Sequence, residues 1–193
     1  MIIWIKTPQQ HSRPYLLLDR DGVINQDSPN YIKHLGEFQF YADALQALRW
    51  LREKHIPVVI ISNQSGLNRG IISWEDFWAM HNWMIRRIRD SGGDILGACY
   101  CPHRPEEGCS CRKPSPGMIK AASQIFHFSL PETIFIGDRD TDLLAAKRAG
   151  CRGMMLDRSG QSIEPPPSFR GEDPALHSSL MDALPSLLEW WDL

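Results

Sequence analysis

The chain has 193 residues, with 21 lysines and arginines against 23 acidic side chains and a formal charge of −2. That near balance excludes a polybasic nucleic-acid binder and an acidic tail, and an apolar content of 42% excludes disordered and collagen-like classes. A chain of this length buries roughly 70% of its unfolded surface, so a core forms without disulfide staples and the five cysteines need another reason.

Residues 1–5 are apolar, but Lys6, Pro8 and Gln9 interrupt them before they reach the length of a signal-peptide core. Residues 1–14 therefore read as an N-terminal arm, in which Met1 to Lys6 are an extra edge strand, a disordered arm or a start-site artefact. No window approaches 18 consecutive apolar residues, so a soluble cytoplasmic monomer with no membrane or nucleic-acid partner is expected. Residues 15–18 form a short apolar run that stops at Asp19, and residues 42–54 follow with Leu45, Leu48 and Leu51 at helical spacing. A second apolar run at 56–61 stops at Ser62. A helix over 73–89 opens on Ser73 as its cap and carries Trp74, Phe77, Trp78, Met84, Ile85 and Ile88 on one side. Residues 95–100 are a weaker strand, 116–128 a helix, 133–136 a strand stopping at Gly137 and Asp138, 141–149 a helix, and 152–156 a strand. Residues 160–175 read as a surface loop rich in proline, serine and glycine, leading into a short amphipathic helix over 180–190. Core packing is the expected task of Trp74, Trp78 and Trp83 and of the tail pair Trp190 and Trp191, and His34, His81 and His127 are ordinary helix or loop residues.

Strand and helix alternate, and the strands are continuously apolar. The expected fold class is α/β, a three-layer Rossmann-like parallel sheet with helices on both faces and no large cap domain. In such sheets ligands gather at the carboxyl ends of strands, which puts Asp19, Asp21, Ser62, Asn63 and Asp138 on one rim. Two carboxylates as close as Asp19 and Asp21 repel unless a cation intervenes, and oxygen-only ligation suits Mg²⁺, with Asp138 able to complete the set. Asp19 can then attack a phosphoryl group and Asp21 can carry protons. Ser62 offers a hydroxyl, Asn63 a donor, and Lys113 the positive charge that phosphoryl transfer needs, although alone it would read as a solvated lysine.

The ordered set Leu16-Leu17-Leu18-Asp19-Arg20-Asp21-Gly22, Ile60-Ile61-Ser62-Asn63-Gln64, Arg112-Lys113-Pro114 and Ile136-Gly137-Asp138 with Asp142 resembles the four motifs of the haloacid dehalogenase superfamily. The resemblance implies a single phosphatase domain over 1–193, with Asp19 as nucleophile and Asp21 as general acid and base. It also implies that Ser62 and Lys113 hold the transferring phosphoryl group. Mg²⁺ would be bound by Asp19, Asp138 and the backbone carbonyl of Asp21. Asp142 either supports the site or caps the helix that follows.

Cys101, His103, Cys109 and Cys111 form a C-x-H-x₅-C-x-C pattern in residues 101–111, a donor set suited to a closed, structural zinc site that aims Arg112 and Lys113. Cys99 competes as a ligand, but strand alternation and the family pattern favour Cys101. A zinc loop before Arg-Lys-Pro resembles two subfamilies, the heptose 1,7-bisphosphate 7-phosphatases and the histidinol-phosphate phosphatases. Asn63-Gln64-Ser65-Gly66 followed by Arg69-Gly70 favours the first, because the histidinol enzymes carry an acidic residue in place of Ser65. That resemblance implies Mg²⁺-dependent removal of the 7-phosphate of a small sugar bisphosphate in ADP-heptose and lipopolysaccharide core synthesis. Asp27, Asn30 and Tyr31 would form one side of the substrate site, Ser62, Asn63, Gln64 and Ser65 the other. Arg112 would meet the phosphate that is not cleaved, and Arg139, standing where the heptose enzymes carry lysine, would contact substrate. The alternatives are a histidinol-phosphate phosphatase and a zinc-stabilised binding module without catalysis.

Overall fold

A computed structural model describes residues 1–6, 14–159 and 176–192, so the expected surface loop at 160–175 lies outside the described residues. In chain order the elements are β1 (Ile2–Ile5), β2 (Leu16–Leu18), α1 (Ala42–Glu53), β3 (Val58–Asn63), α2 (Trp74–Asp90), β4 (Gly97–Cys101), α3 (Gly117–Phe126), β5 (Ile134–Gly137), α4 (Asp140–Ala149), β6 (Arg152–Leu156), β7 (Leu176–His177) and α5 (Leu180–Trp191). They build one seven-stranded sheet in the order β1-β4-β3-β2-β5-β6-β7. All neighbours are parallel except β1, which pairs antiparallel with β4 and places Ile2 opposite Tyr100. Of the three readings of the N-terminal segment, residues 2–5 are the edge strand, and the sheet is mixed.

Strand alternation divides the apolar residues between two faces. Leu16, Leu18, Val58, Ile60, Ile134 and Ile136 pack toward α1, α2 and α5. Leu17, Val59, Ile61 and Phe135 pack toward α3 and α4. Ser73 caps α2 by accepting from the Asp76 amide at 2.9 Å. Helix α3 stops two residues short of expectation because His127 turns left-handed at φ 57°. Among the tryptophans, Trp78, Trp83 and Trp191 pack against the core, whereas Trp74 and Trp190 are exposed. Trp74 shares the phase of the buried stripe but begins its helix, where the Phe77 ring meets it edge-on. Trp190 lies under the Arg152 guanidinium, 3.9 Å from its ring centre. His81 is buried, its Nδ1 2.8 Å from the Tyr100 hydroxyl, and is thus a core residue.

The central strand β2 is flanked by β3 and β5, with Leu18 registered against Ile60 on one side and Ile136 on the other. Chain direction diverges at this strand, the usual place for an α/β site. Residues that follow each of these strands share one rim. No helix among the described residues is long and apolar enough to cross a membrane.

Candidate active site

A cleft of about 640 Å³ opens at this rim, lined by Asp19, Asp21, Ser62, Lys113 and most of the expected substrate residues. Asp27, Tyr31, Asn63, Gln64, Ser65, Arg112 and Arg139 all line it. Asn30 is not part of the lining; its amide turns back to Ser28 Oγ at 3.3 Å, and Ser28 and Pro29 face the cleft in its place.

Asp19 leaves β2 nearly buried, its Oδ1 accepting from the Arg20 amide at 2.7 Å and its Oδ2 lying 2.8 Å from Lys113 Nζ. Lys113 is 3% exposed and is fully engaged: its ammonium also lies 2.7 Å from Asp142 Oδ1 and donates to the Ile61 carbonyl at 3.0 Å. The peptide bond from Lys113 to Pro114 is cis. Asn63 clamps the lysine's backbone, accepting from its N–H at 3.1 Å and donating to its carbonyl at 3.2 Å. Asn63, expected as a donor to phosphoryl oxygens, lines the cleft and spends one of its two amide hydrogens on the Lys113 carbonyl.

Asp142 performs both tasks weighed for it. Its Oδ2 accepts from the Arg139 amide at 3.1 Å, capping α4, while Oδ1 faces Lys113. Gly137 permits this approach, since a Cβ there would lie 2.3 Å from the Asp142 carboxylate. One oxygen each of Asp19, Asp138 and Asp142 lie within 4.8 Å of one another. Burial lifts the Asp19 carboxyl to about 6, with Lys113 opposing the rise. Burial and the neighbouring Asp19 and Asp142 charges lift Asp138 to about 8. Asp138 Oδ1 is buried with no hydrogen-bond donor among the described residues. A buried orphan oxygen beside a second carboxylate that has only one cation to share is the arrangement that a hard divalent ion relieves. Asp19 and Asp142 share the single Lys113 ammonium, and with Asp138 the three carboxylates form a group that could hold such an ion.

Asp21 is held differently. Its Oδ1 accepts from Arg20 Nε at 3.0 Å and Asn25 Nδ2 at 2.8 Å, and its Oδ2 from Gln64 Nε2 at 2.7 Å, while a terminal Arg20 nitrogen reaches both oxygens at 2.9 Å. Gln64 Nε2 also donates to Ser62 Oγ at 3.1 Å, linking the two sides of the cleft. Arg20 and Asn25 hold the Asp21 carboxylate, a contact that the sequence did not foretell. Arg20 had a visible signal, an arginine between two aspartates at the end of a buried strand. Asn25 had only its place in the turn. Across the mouth Arg139 is paired with Asp27, so both expected substrate residues are joined to each other.

On the far side of Lys113 lie the sulfur ligands. Cys111 Sγ is 3.4 Å from Cys101 Sγ, 3.5 Å from Cys109 Sγ and 3.3 Å from His103 Nδ1. A tetrahedral ion with bonds of about 2.0–2.3 Å has ligand edges of roughly 3.3–3.8 Å, so the four atoms fit a zinc ion. Cys99 is buried in the core on the same face as Cys101, so alternation does not separate them; the distance of two residues back along β4 does. Cys151 is also buried in the core. Arg112 donates to the His103 carbonyl at 3.1 Å, which fastens the cleft's arginine to the cysteine loop.

Comparison with known proteins agrees with this geometry. The HAD-hydrolase-like family model matches residues 110–165. The chain is 37% identical over 152 residues to D-glycero-beta-D-manno-heptose-1,7-bisphosphate 7-phosphatase of Pseudomonas aeruginosa, covering 79% of this chain and 85% of the relative. It is 33% identical over 165 residues to the alpha-anomer enzyme of Photorhabdus laumondii, covering 81% of this chain and 90% of that one. The crystal structure of D,D-heptose 1,7-bisphosphate phosphatase from B. bronchiseptica, complexed with magnesium and phosphate, superposes with a TM-score of 0.81 at 32% identity, covering 91% of this chain and 98% of that chain. With the aspartate motifs on one rim and relatives of this similarity over most of both chains, the protein belongs to the heptose 1,7-bisphosphate 7-phosphatase family of the haloacid dehalogenase superfamily.

Proposed function

We propose that the protein is a phosphatase that removes the 7-phosphate of D-glycero-D-manno-heptose 1,7-bisphosphate, in the route to ADP-heptose and the lipopolysaccharide core. The observation that carries this reading is the position of Asp19 Oδ2, 2.8 Å from Lys113 in a cleft that Arg112 also lines. One cation serves the reacting phosphate, and a second, Arg112, tied to the His103 carbonyl through one guanidinium nitrogen, faces the same cleft to meet another. Arginine binds a phosphate bidentately, so a bisphosphate accounts for adjacent cations better than a monophosphate does.

Asp19, Asp138 and the Asp21 carbonyl would hold Mg²⁺, which supplies neutralisation of the charge between a carboxylate nucleophile and a phosphate. Asp19 attacks phosphorus, the bond to the sugar oxygen breaks, and Asp21 donates the proton that the leaving oxygen needs. Asp21, now a carboxylate, takes a proton from water as the water oxygen attacks the aspartyl-phosphate, releasing inorganic phosphate and restoring Asp19. Every contact to Asp21 comes from a donor, so carrying a proton requires one of these contacts to open. Lys113 neutralises the phosphoryl group by turning one of its three donors from Asp19, Asp142 or the Ile61 carbonyl to a phosphoryl oxygen. Zinc held by Cys101, His103, Cys109 and Cys111 is structural, since protein fills all four positions.

Phosphorus NMR during turnover tests the reading. The 7-phosphate signal converts to inorganic phosphate while the anomeric phosphate remains, and histidinol phosphate is hydrolysed far more slowly. Loss of the anomeric phosphate, or preference for histidinol phosphate, overturns it.

A further inference from the structure

Arg158 lies just after β6 and is not part of the cleft lining, yet it touches the loop that carries the reacting aspartates. Its Nε donates to the Gly22 carbonyl at 3.0 Å and a terminal nitrogen to the Val23 carbonyl at 3.1 Å. Gly22 and Val23 are buried, and no backbone N–H among the described residues donates to either carbonyl. A second edge of the guanidinium, sharing that terminal nitrogen, makes a bidentate pair with Asp43 in the first turn of α1, at 2.9 and 3.1 Å. Asp43 Oδ2 in turn accepts from the Leu180 amide at 2.9 Å, and the Tyr41 ring lies flat against the guanidinium, 3.6 Å from its centre.

Two edges are therefore used at once, one on consecutive carbonyls and one on a carboxylate. A planar five-donor fork does this and a lysine ammonium, a point with three donors, does not. The pinned turn matters because of what it borders. Gly22 has φ +83°, and a Cβ on it would lie 2.0 Å from Asp138 Oδ2, so the turn backs the Asp138 carboxylate as well as following Asp21 directly. A shift of this turn moves both groups relative to Asp19.

We propose that Arg158 is a positioning residue for phosphoryl transfer, its guanidinium pinning the Gly22–Val23 turn so that Asp21 and Asp138 keep their places around Asp19. The proposal rests on the phosphatase reading for its kinetic arm only.

The experiment compares wild type with Arg158→Lys and Arg158→Gln. Misplacement of reacting groups by about 1 Å costs up to about a hundredfold, so kcat falls ten- to a hundredfold, while KM and zinc content change little because Arg158 reaches neither substrate nor the cysteine loop. Millimolar methylguanidinium restores part of the lost kcat in Arg158→Gln, and methylammonium at the same concentration does not. Amide exchange at Gly22, Ile24 and Asn25 speeds up in both variants while β3 and α3 stay protected. If Arg158→Gln does not fold, Asp43→Asn, which removes the anchor on the second edge, is read in the same way. Unchanged kcat with unchanged exchange in the turn overturns the proposal. So does a kcat loss accompanied by uniformly faster exchange and no methylguanidinium rescue. A wild type inert toward the heptose bisphosphate overturns the phosphatase reading, and the exchange arm still decides the pin.

Discussion

Two clusters of ligand atoms flank the Arg112–Lys113 pair, each compact enough that its members lie within 4.8 Å of one another. One is made of carboxylates in a cleft and the other of thiols and an imidazole in a short loop. The carboxylate cluster is anchored at the ends of the central strands, and burial stores repulsion there: Asp138 rises to about 8 and its Oδ1 has no donor among the described residues. The cysteine loop carries few apolar groups of its own; its thiols and imidazole lie against one another, and Arg112 ties the His103 carbonyl to the cleft. A site supported by the sheet can exchange a hard ion at each turnover. A site that is the loop's own support has to keep a soft one.

Substitutions separate the two clusters most strongly at the nucleophile. Asp19→Asn should abolish turnover, by about 10⁴-fold or more on the scale of a removed nucleophile, while circular dichroism shows the fold and metal analysis the zinc unchanged. The paired change Cys109→Ser, Cys111→Ser acts on the other side: zinc content falls to background, the loop loosens and activity drops because Arg112 and Lys113 lose their support. Full zinc in that variant would remove the assignment of the loop.

A smaller effect distinguishes the two cations. Arg112→Ala should lower kcat/KM for a heptose bisphosphate by about ten- to a hundredfold, the loss of a hydrogen bond to a charged group being about 1.5–3 kcal/mol. A sugar monophosphate should lose much less. Equal losses on both substrates would mean that Arg112 touches only the reacting phosphate or merely supports the cysteine loop.

The smallest effect is on stability against pH. Asp19 and Asp138 bind protons more tightly folded than unfolded, so in Mg²⁺-free buffer stability falls as pH rises from about 4 toward 8, through their folded values of about 6 and about 8. If Asp19 and Asp138 hold Mg²⁺ as proposed, the ion takes the deprotonated pair, and its stabilisation, about 2.7 kcal/mol at a hundred times Kd, should be larger at pH 8 than at pH 5.5. Urea midpoints at the two pH values, with and without Mg²⁺, check the sign. Stabilisation that is larger at pH 5.5 would place the ion elsewhere.

Much of this arrangement was legible in the amino-acid order. Continuous apolar runs ending in Asp19, Ser62 and Asp138 located the rim because strand ends in a parallel sheet converge, and the cysteine spacing pointed to the cluster of Cys101, His103, Cys109 and Cys111 because all four lie between the end of β4 and Arg112. What stayed hidden depends on contacts between distant segments. No periodicity marks Arg158, whose partners lie 115 to 136 residues away, and nothing in the local sequence shows that Asn63 spends its amide on Lys113, 50 residues on. Antiparallel addition of β1 to β4 was likewise open, since a short apolar segment has no register until its partner is known.

The most direct test of the covalent role of Asp19 is to quench the enzyme with acid during turnover of the heptose bisphosphate and to map phosphate on its peptides by mass spectrometry. The account predicts one phosphoryl group on the peptide that contains Asp19, present in wild type with Mg²⁺, absent without it, and absent in Asp19→Asn. Turnover at full rate with no phosphorylated peptide in rapidly quenched samples, or phosphate on a different residue, would contradict it.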